Sequence, residues 1–176
     1  MSLMIKSKKI TIRKLSHKKD ISRRYQNWMN DYEVHKYTEQ KYTKHSLADI
    51  RKFVMQKNNS KNEFLYGIFL KKNHLKMHIG NIKIGPINFI HKHAELSYFI
   101  GEKELWSKGL TALAIKEAVK IAKKKGIKKL KAGCYELNVG SKKVLEKNKF
   151  KLEGKLQSEY IFMNKRIAQY LFGRIL

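Results

Sequence analysis

Residues 100–112 read Ile100-Gly101-Glu102-Lys103-Glu104-Leu105-Trp106-Ser107-Lys108-Gly109-Leu110-Thr111-Ala112, carrying the chain from a strand-like run into a long amphipathic helix through a short loop. A glycine in such a loop lets successive backbone N–H groups turn inward, and the helix behind it adds the positive end of its dipole. Together they read as a phosphate cradle. An ordinary tight turn would use the same residue types, so the flanking segments decide.

Downstream, Leu110, Leu113, Ala114, Ala118, Ile121 and Ala122 share one stripe, with Lys116, Lys120, Lys123 and Lys124 on the other. This is the pattern of a surface helix packed on a sheet. Gly126 falls where a left-handed C-terminal cap belongs, and Ile127 to Cys134 reads as a short strand. A polar turn at Asn138-Val139-Gly140-Ser141 leads into a second helix, which ends before Phe150 opens another strand.

Upstream, Ile10 to Leu15 alternates as a first strand, followed by helical segments at Ile21 to Asn30 and Ser46 to Gln56. Ser46 and Asp49 form a capping-box pattern at the start of the latter. Phe64 to Leu70 and His78 to Ile84 read as antiparallel strands joined through Lys71 to Lys76, and Ala94 to Ile100 as the next. Tyr160 to Met163 and Ile167 to Phe172 read as a closing hairpin around Asn164-Lys165. The expectation is one α+β domain over residues 4–176. Met1-Ser2-Leu3, ahead of Met4, reads as a cloning addition.

The chain has 176 residues, 42% of them hydrophobic, enough for a real core. No apolar run approaches the roughly 20 residues that cross a bilayer, and no secretory leader is evident, so no membrane partner is expected. Cys134 is the only cysteine, which fits a reducing, cytoplasmic setting. Its place on a predicted core strand argues against a nucleophile. The net charge of +26 has two readings: attraction to polyanions, or the lysine bias of an AT-rich gene. The lysines are scattered, and neither an RNA-binding aromatic signature nor zinc-finger spacing is present, which disfavours nucleic acid. His91 with His93, and His74 with His78, lack metal-ligand spacing, so no metal is expected.

The sequence from 100 to 150 resembles the acetyl-CoA-binding half of the GNAT superfamily of N-acetyltransferases. That family's Q/R-x-x-G-x-G/A loop, followed by N-x-x-S/A, a helix and a Phe, is matched by Trp106-Ser107-Lys108-Gly109-Leu110-Thr111, Asn138-Val139-Gly140-Ser141 and Phe150. Trp106 and Thr111 resemble the branch of ribosomal-protein N-acetyltransferases. The likeness continues through His78 to Ile87, Ala94 to Gly101, and Trp28-Met29-Asn30-Asp31 with Tyr37-Thr38-Glu39. It is similar over most of the chain to amino-sugar N-acetyltransferases of surface-polysaccharide biosynthesis. The resemblance implies an α+β fold of three α/β/α layers. Its sheet is mixed and mostly antiparallel, with about seven strands, a V-shaped splay between two central parallel strands, and about four flanking helices.

It also implies acetyl-CoA as cofactor and a small-molecule amine as acceptor, foremost a nucleotide-linked amino sugar. The N-terminus of a ribosomal protein is the alternative acceptor. A non-catalytic acyl-CoA or nucleic-acid binding module is the further alternative. The N–H groups of Phe99, Ile100 and Gly101 would face thioester and pantetheine, with Phe99 or Ile100 the donor to the developing oxyanion. Trp106 and the amides of Ser107, Lys108, Gly109, Leu110, Thr111 and Ala112 would hold the pyrophosphate, with Lys147 nearby. Asn138 and Ser141 would meet the pantetheine arm, though Asn138 reads equally as a helix cap.

An attacking amine must lose a proton at a pKa of about 10. Glu95, on the same strand face as Ser97 and Phe99 by alternation, is the candidate base, or else an exposed strand carboxylate. Tyr98 on the opposite face ranks behind it as a proton-relay residue. Trp28, Tyr37, Glu39 and His93 are the candidate acceptor contacts. A homodimer is left open. Two positions depart from the family pattern: Leu145 stands where many relatives have a Tyr that protonates the thiolate, and Lys149 where a Gly precedes the Phe.

Overall fold

The computed structural model describes residues 10–72 and 75–176; residues 1–3 and His74 lie outside them. Seven strands form one sheet: β1 (Ile10–Lys14), β2 (Phe64–Lys72), β3 (Leu75–Asn88), β4 (His93–Ile100), β5 (Lys129–Tyr135), β6 (Lys151–Phe162) and β7 (Lys165–Ile175). Their order is β1-β2-β3-β4-β5-β7-β6. Only β4 and β5 run parallel, and every other pair is antiparallel. The helices are α1 (Arg23–Met29), α2 (Tyr32–His35), α3 (Leu47–Asn59), α4 (Leu110–Lys124) and α5 (Val139–Lys147). No helix among the described residues is long and apolar enough to cross a membrane.

Two apolar clusters sandwich the sheet. On one face Ala114, Ile115, Ala118 and Ala122 of α4 and Leu145 of α5 pack on Ile82, Ile84, Leu96 and Leu130. The alanine stripe is what lets α4 lie close to the strands. On the other face Tyr25 and Trp28 of α1 and Ile50 and Val54 of α3 cover Leu65 and Phe69. Each such aliphatic or aromatic side chain contributes on the order of 1.5–3 kcal/mol by leaving water. The expected capping box is present, Ser46 and Asp49 each accepting the other's backbone N–H.

Three expectations change. The helix α2 is a single turn capped by Asp31, too short to show any period in the sequence. The strand expected after Phe150 and the first arm of the expected hairpin are one strand, β6, whose register shifts at Leu152/Gly154 and Leu156/Tyr160, while the second arm, Ile167 to Phe172, lies in β7 as expected. It lies at the sheet edge with most residues exposed, so no buried face imposes an alternating pattern. The turn is Met163-Asn164, both with positive φ (49° and 60°), one residue earlier than expected.

Helix α5 ends in a Schellman arrangement: Lys149 N–H donates to Glu146 O (2.9 Å) and Phe150 N–H to Leu145 O (3.1 Å). This puts Lys149 at φ 63°, a left-handed position without glycine. Lys149→Gly is therefore expected to stabilise the fold by about 1 kcal/mol, a rise of roughly 2–4 °C in Tm by scanning calorimetry. An unchanged or lower Tm would contradict the strain.

Candidate active site

β4 and β5 pair over only three residues, His93 with Lys129, Ala94 with Leu130 and Glu95 with Lys131, and then part. The expected splay therefore begins at Leu96. Which main-chain groups face it follows from the phase of the neighbouring ladders. Gly101 N–H donates to Ile79 O (2.9 Å), so in the β3–β4 ladder residues 97, 99 and 101 spend their N–H and C=O on β3. Those of Tyr98 and Ile100 turn into the gap. Glu136 N–H donating to Ala168 O (3.0 Å) fixes the other wall in the same way: Ala132 and Cys134 bond β7, while Gly133 and Tyr135 face the gap. Of the three amides expected to face a thioester, those of Phe99 and Gly101 are thus committed to β3. Only Ile100 keeps its N–H for the gap, joined by Tyr98. The phase depends on register, which the sequence does not display.

At the open end, Trp106 fastens the loop by donating its indole N–H to Ile100 O (2.8 Å). Behind it, Gly101 lies so close to the Trp28 ring that no Cβ would fit. Ser107 (φ 58°) and Gly109 (φ 75°) are both left-handed and curl the chain into the first turn of α4. The N–H groups of Ser107 through Ala112 donate to no acceptor among the described residues; the first helical bond is Leu113 N–H to Gly109 O (3.3 Å). A Cβ on Gly109 would meet nothing within 4 Å. The loop therefore presents a run of unspent donors beside open space at the positive end of a 15-residue helix.

The far wall of the gap is polar. Asn138 caps α5 by accepting Ser141 N–H (3.0 Å), and the Tyr98 hydroxyl lies 2.9 Å from Ser141 Oγ, bridging β4 to α5. Burial pushes the Tyr98 hydroxyl above its ordinary range, so it stays protonated at neutral pH. Leu145 is fully buried in the core under α5, filling apolar space rather than facing the gap. Cys134 is buried, and burial raises its thiol. Lys147 is exposed on the last turn of α5 and Lys108 is exposed on the loop.

On the opposite side of the sheet, two cavities of about 590 and 470 Å³ lie under α1–α3. The smaller reaches Ser97 and Phe99 of β4, and His35 lines both. His35 is 2% exposed, with its ring edge-on to Phe99 at 4.9 Å. Its Nδ1 lies 3.1 Å from Thr38 Oγ1, whose own proton goes to His35 O. Nδ1 therefore donates and Nε2 is a bare acceptor, without a partner among the described residues. Burial first, then His45, lowers the His35 pKa to about 4 and keeps the ring neutral. Nothing in the sequence singles it out, because one histidine in a one-turn helix carries no pattern.

The expected acceptor contacts separate. Tyr37 packs against aromatic rings, 6.0 Å from Tyr135 and 5.4 Å from Phe162, and lines neither cavity. Glu39 accepts a 2.6 Å hydrogen bond from the Tyr135 hydroxyl. Trp28, by contrast, is 5% exposed and serves as core behind Gly101, because the close approach of that glycine needs a flat ring. His93 sits at the closed end of the fork, 3.5 Å from Lys131 Nζ and stacked on His91, away from both cavities. Glu95 is exposed at the fork's apex opposite Lys131, on the same face as Ser97 and Phe99.

A family model described as an acetyltransferase (GNAT) domain matches residues 9–151. Comparison with curated proteins finds no match. Among solved structures the chain is similar to the spermidine N-acetyltransferase of Vibrio cholerae in complex with CoA and spermine (TM-score 0.82, 20% identity, 94% of this chain and 95% of that one). It is similar as well to the microcin C7 self-immunity acetyltransferase MccE in complex with acetyl-CoA and AMP (0.79, 20%, 95% and 92%). A third is the Salmonella typhimurium acetyl transferase that modifies the N-terminal serine of a 50S ribosomal subunit protein (0.78, 18%, 97% and 96%). At these identities the likeness is one of fold.

Proposed function

The chain belongs to the GNAT acetyltransferase family, whose acetyl donor is acetyl-CoA, and we propose that it moves the acetyl group to a primary amine entering from the α1–α3 face. One observation carries the reading: six consecutive unspent amides, Ser107 to Ala112, stand at the mouth of a gap into which the Tyr98 and Ile100 amides point. These residues fit the cofactor. The cradle would hold the diphosphate, with Lys108 adding charge, and the edge of β4 would bond the pantetheine arm opposite Asn138 and Ser141. Acetyl-CoA supplies a thioester there.

The protein's part is orientation and proton handling. Ile100 N–H, beside the Phe99 ring that closes the acceptor cavity, is the fixed donor for a carbonyl oxygen gathering negative charge. Glu95 at the apex receives the amine proton through water. Tyr98 keeps its hydroxyl proton and, with Ser141 Oγ, forms the donor pair on the far wall, in place of the Tyr that Leu145 replaces.

The sequence resemblance supports a nucleotide-linked amino sugar as acceptor, and the likeness to an enzyme acting on a ribosomal protein supports the N-terminal amine of such a protein as the second reading. The test is thiol release from acetyl-CoA against UDP- and dTDP-amino sugars, N-terminal ribosomal peptides and simple alkylamines. Turnover of at least one amine is expected. Tight acetyl-CoA binding with no turnover of any would make the chain a binding module instead. Glu95→Gln is expected to lower kcat by about 10²-fold and shift the pH profile, and an unchanged profile would remove Glu95 from the proton route.

A further inference from the structure

Lys41 lies in the 3-10 turn Glu39–Tyr42. Its ammonium lies 4.8 Å from the ring centroid of Tyr42, 4.8 Å from that of Tyr135 and 5.3 Å from that of Phe162. It donates to the Tyr135 hydroxyl and to Lys36 O, both at 3.3 Å, and no carboxylate ion-pairs with it among the described residues. Tyr160 stacks on Tyr135 at 4.1 Å and stiffens that wall. Glu39 approaches from the rim, accepting from the Tyr135 hydroxyl.

Several aromatic faces and one carboxylate, drawn from a helical turn, β5 and β6, form a receptor for an ammonium ion. It is placed for an acceptor. Tyr135 alternates with Lys131 and Gly133, opposite the core-facing Leu130, Ala132 and Cys134. Its ring therefore lies on the same sheet face as Phe99 and the two cavities, while its main chain borders the gap. Lys41 itself lines the larger cavity.

We infer that the box of Tyr42, Tyr135, Phe162 and Glu39 is a binding site for a primary alkylammonium, with the chain's own Lys41 as resident occupant that an acceptor must displace. Resting on the acetyl-transfer reading, and departing from the anionic nucleotide-linked amino sugar, this makes the acceptor a molecule with two aliphatic amines. One sits charged in the box while the other loses its proton and meets the thioester. The butylammonium arm of Lys41 shows that an unbranched alkyl chain fits. A neutral or anionic acceptor gains nothing from such a box.

The test is calorimetric titration with 1,5-diaminopentane and, for comparison, the uncharged isostere 1,5-pentanediol, without acetyl-CoA so that binding is read apart from turnover. The diamine is expected to bind at least about 10-fold more tightly than the diol. Glu39→Gln should erase most of that difference. Lys41→Met, which removes the resident cation, should tighten the diamine several-fold. Equal binding of diamine and diol in both wild type and Lys41→Met would overturn the inference. Preferential turnover of a nucleotide-linked amino sugar with no diamine binding would overturn it too. Diamine binding that follows this pattern in a protein that acetylates no amine would uphold the box and contradict the transfer reading. Glu39 and Lys41 are at the surface rather than in the core, so both variants are expected to fold, which circular dichroism checks.

Discussion

Gly109→Val is expected to weaken acetyl-CoA binding by about 100-fold or more in calorimetric titration. Two costs add. At φ 75° a β-branched residue pays on the order of 1–2 kcal/mol of backbone strain, some of which appears as lost stability. The larger part falls on the ligand. A Cβ here touches nothing within 4 Å, so the space beside the loop is open, and on the proposed binding mode an isopropyl group would crowd the diphosphate's approach to the amides. Gly109→Ala pays the same strain with less bulk, so its loss should be smaller. Equal losses for the two variants would trace the effect to strain alone. Normal affinity in Gly109→Val would show that the donor binds elsewhere.

The second large effect concerns a single backbone hydrogen. Replacing Ile100 by its α-hydroxy acid exchanges the N–H for an ester oxygen without changing the side chain. Removing one preorganised oxyanion donor costs about 10²–10³ in kcat, and a loss of that size is expected here. The same exchange at Phe99 is the control. Its N–H is spent on β3, so the ester there should lower stability by about 1 kcal/mol and leave kcat nearly unchanged. The opposite pattern would mean that the phase of β4 has been misread.

Much of this fold was legible in local pattern. The stripe of α4, its glycine cap at Gly126, the capping box at Ser46 and the Asn138 cap are set by residues within a few positions of one another, and each stands where the sequence places it. The left-handed Lys149 was legible for the same reason. What stayed hidden depends on partners far apart in the chain. Which β4 amides face the gap is decided by one bond from Gly101 to Ile79. The aromatic box joins Glu39 and Lys41 to Tyr135 and Phe162 across about a hundred residues, and no periodicity signals such a meeting. His35 owes its bare nitrogen to burial under three helices. Trp28 is buried behind Gly101, and an aromatic residue behind a glycine looks the same in sequence as one beside a ligand. The candidate site was therefore visible on its donor side and largely invisible on its acceptor side. Local turns and helix ends build the first, and tertiary packing assembles the second.

The most direct measurement is amide-resolved: ¹⁵N-labelled protein titrated with CoA and followed by ¹H–¹⁵N correlation spectra. The account predicts the largest shifts at Ser107 to Ala112, with Tyr98 and Ile100 also moving and Phe99 much less. A shift map centred elsewhere, with the amides of the Gly109 loop unmoved at saturation, would contradict it.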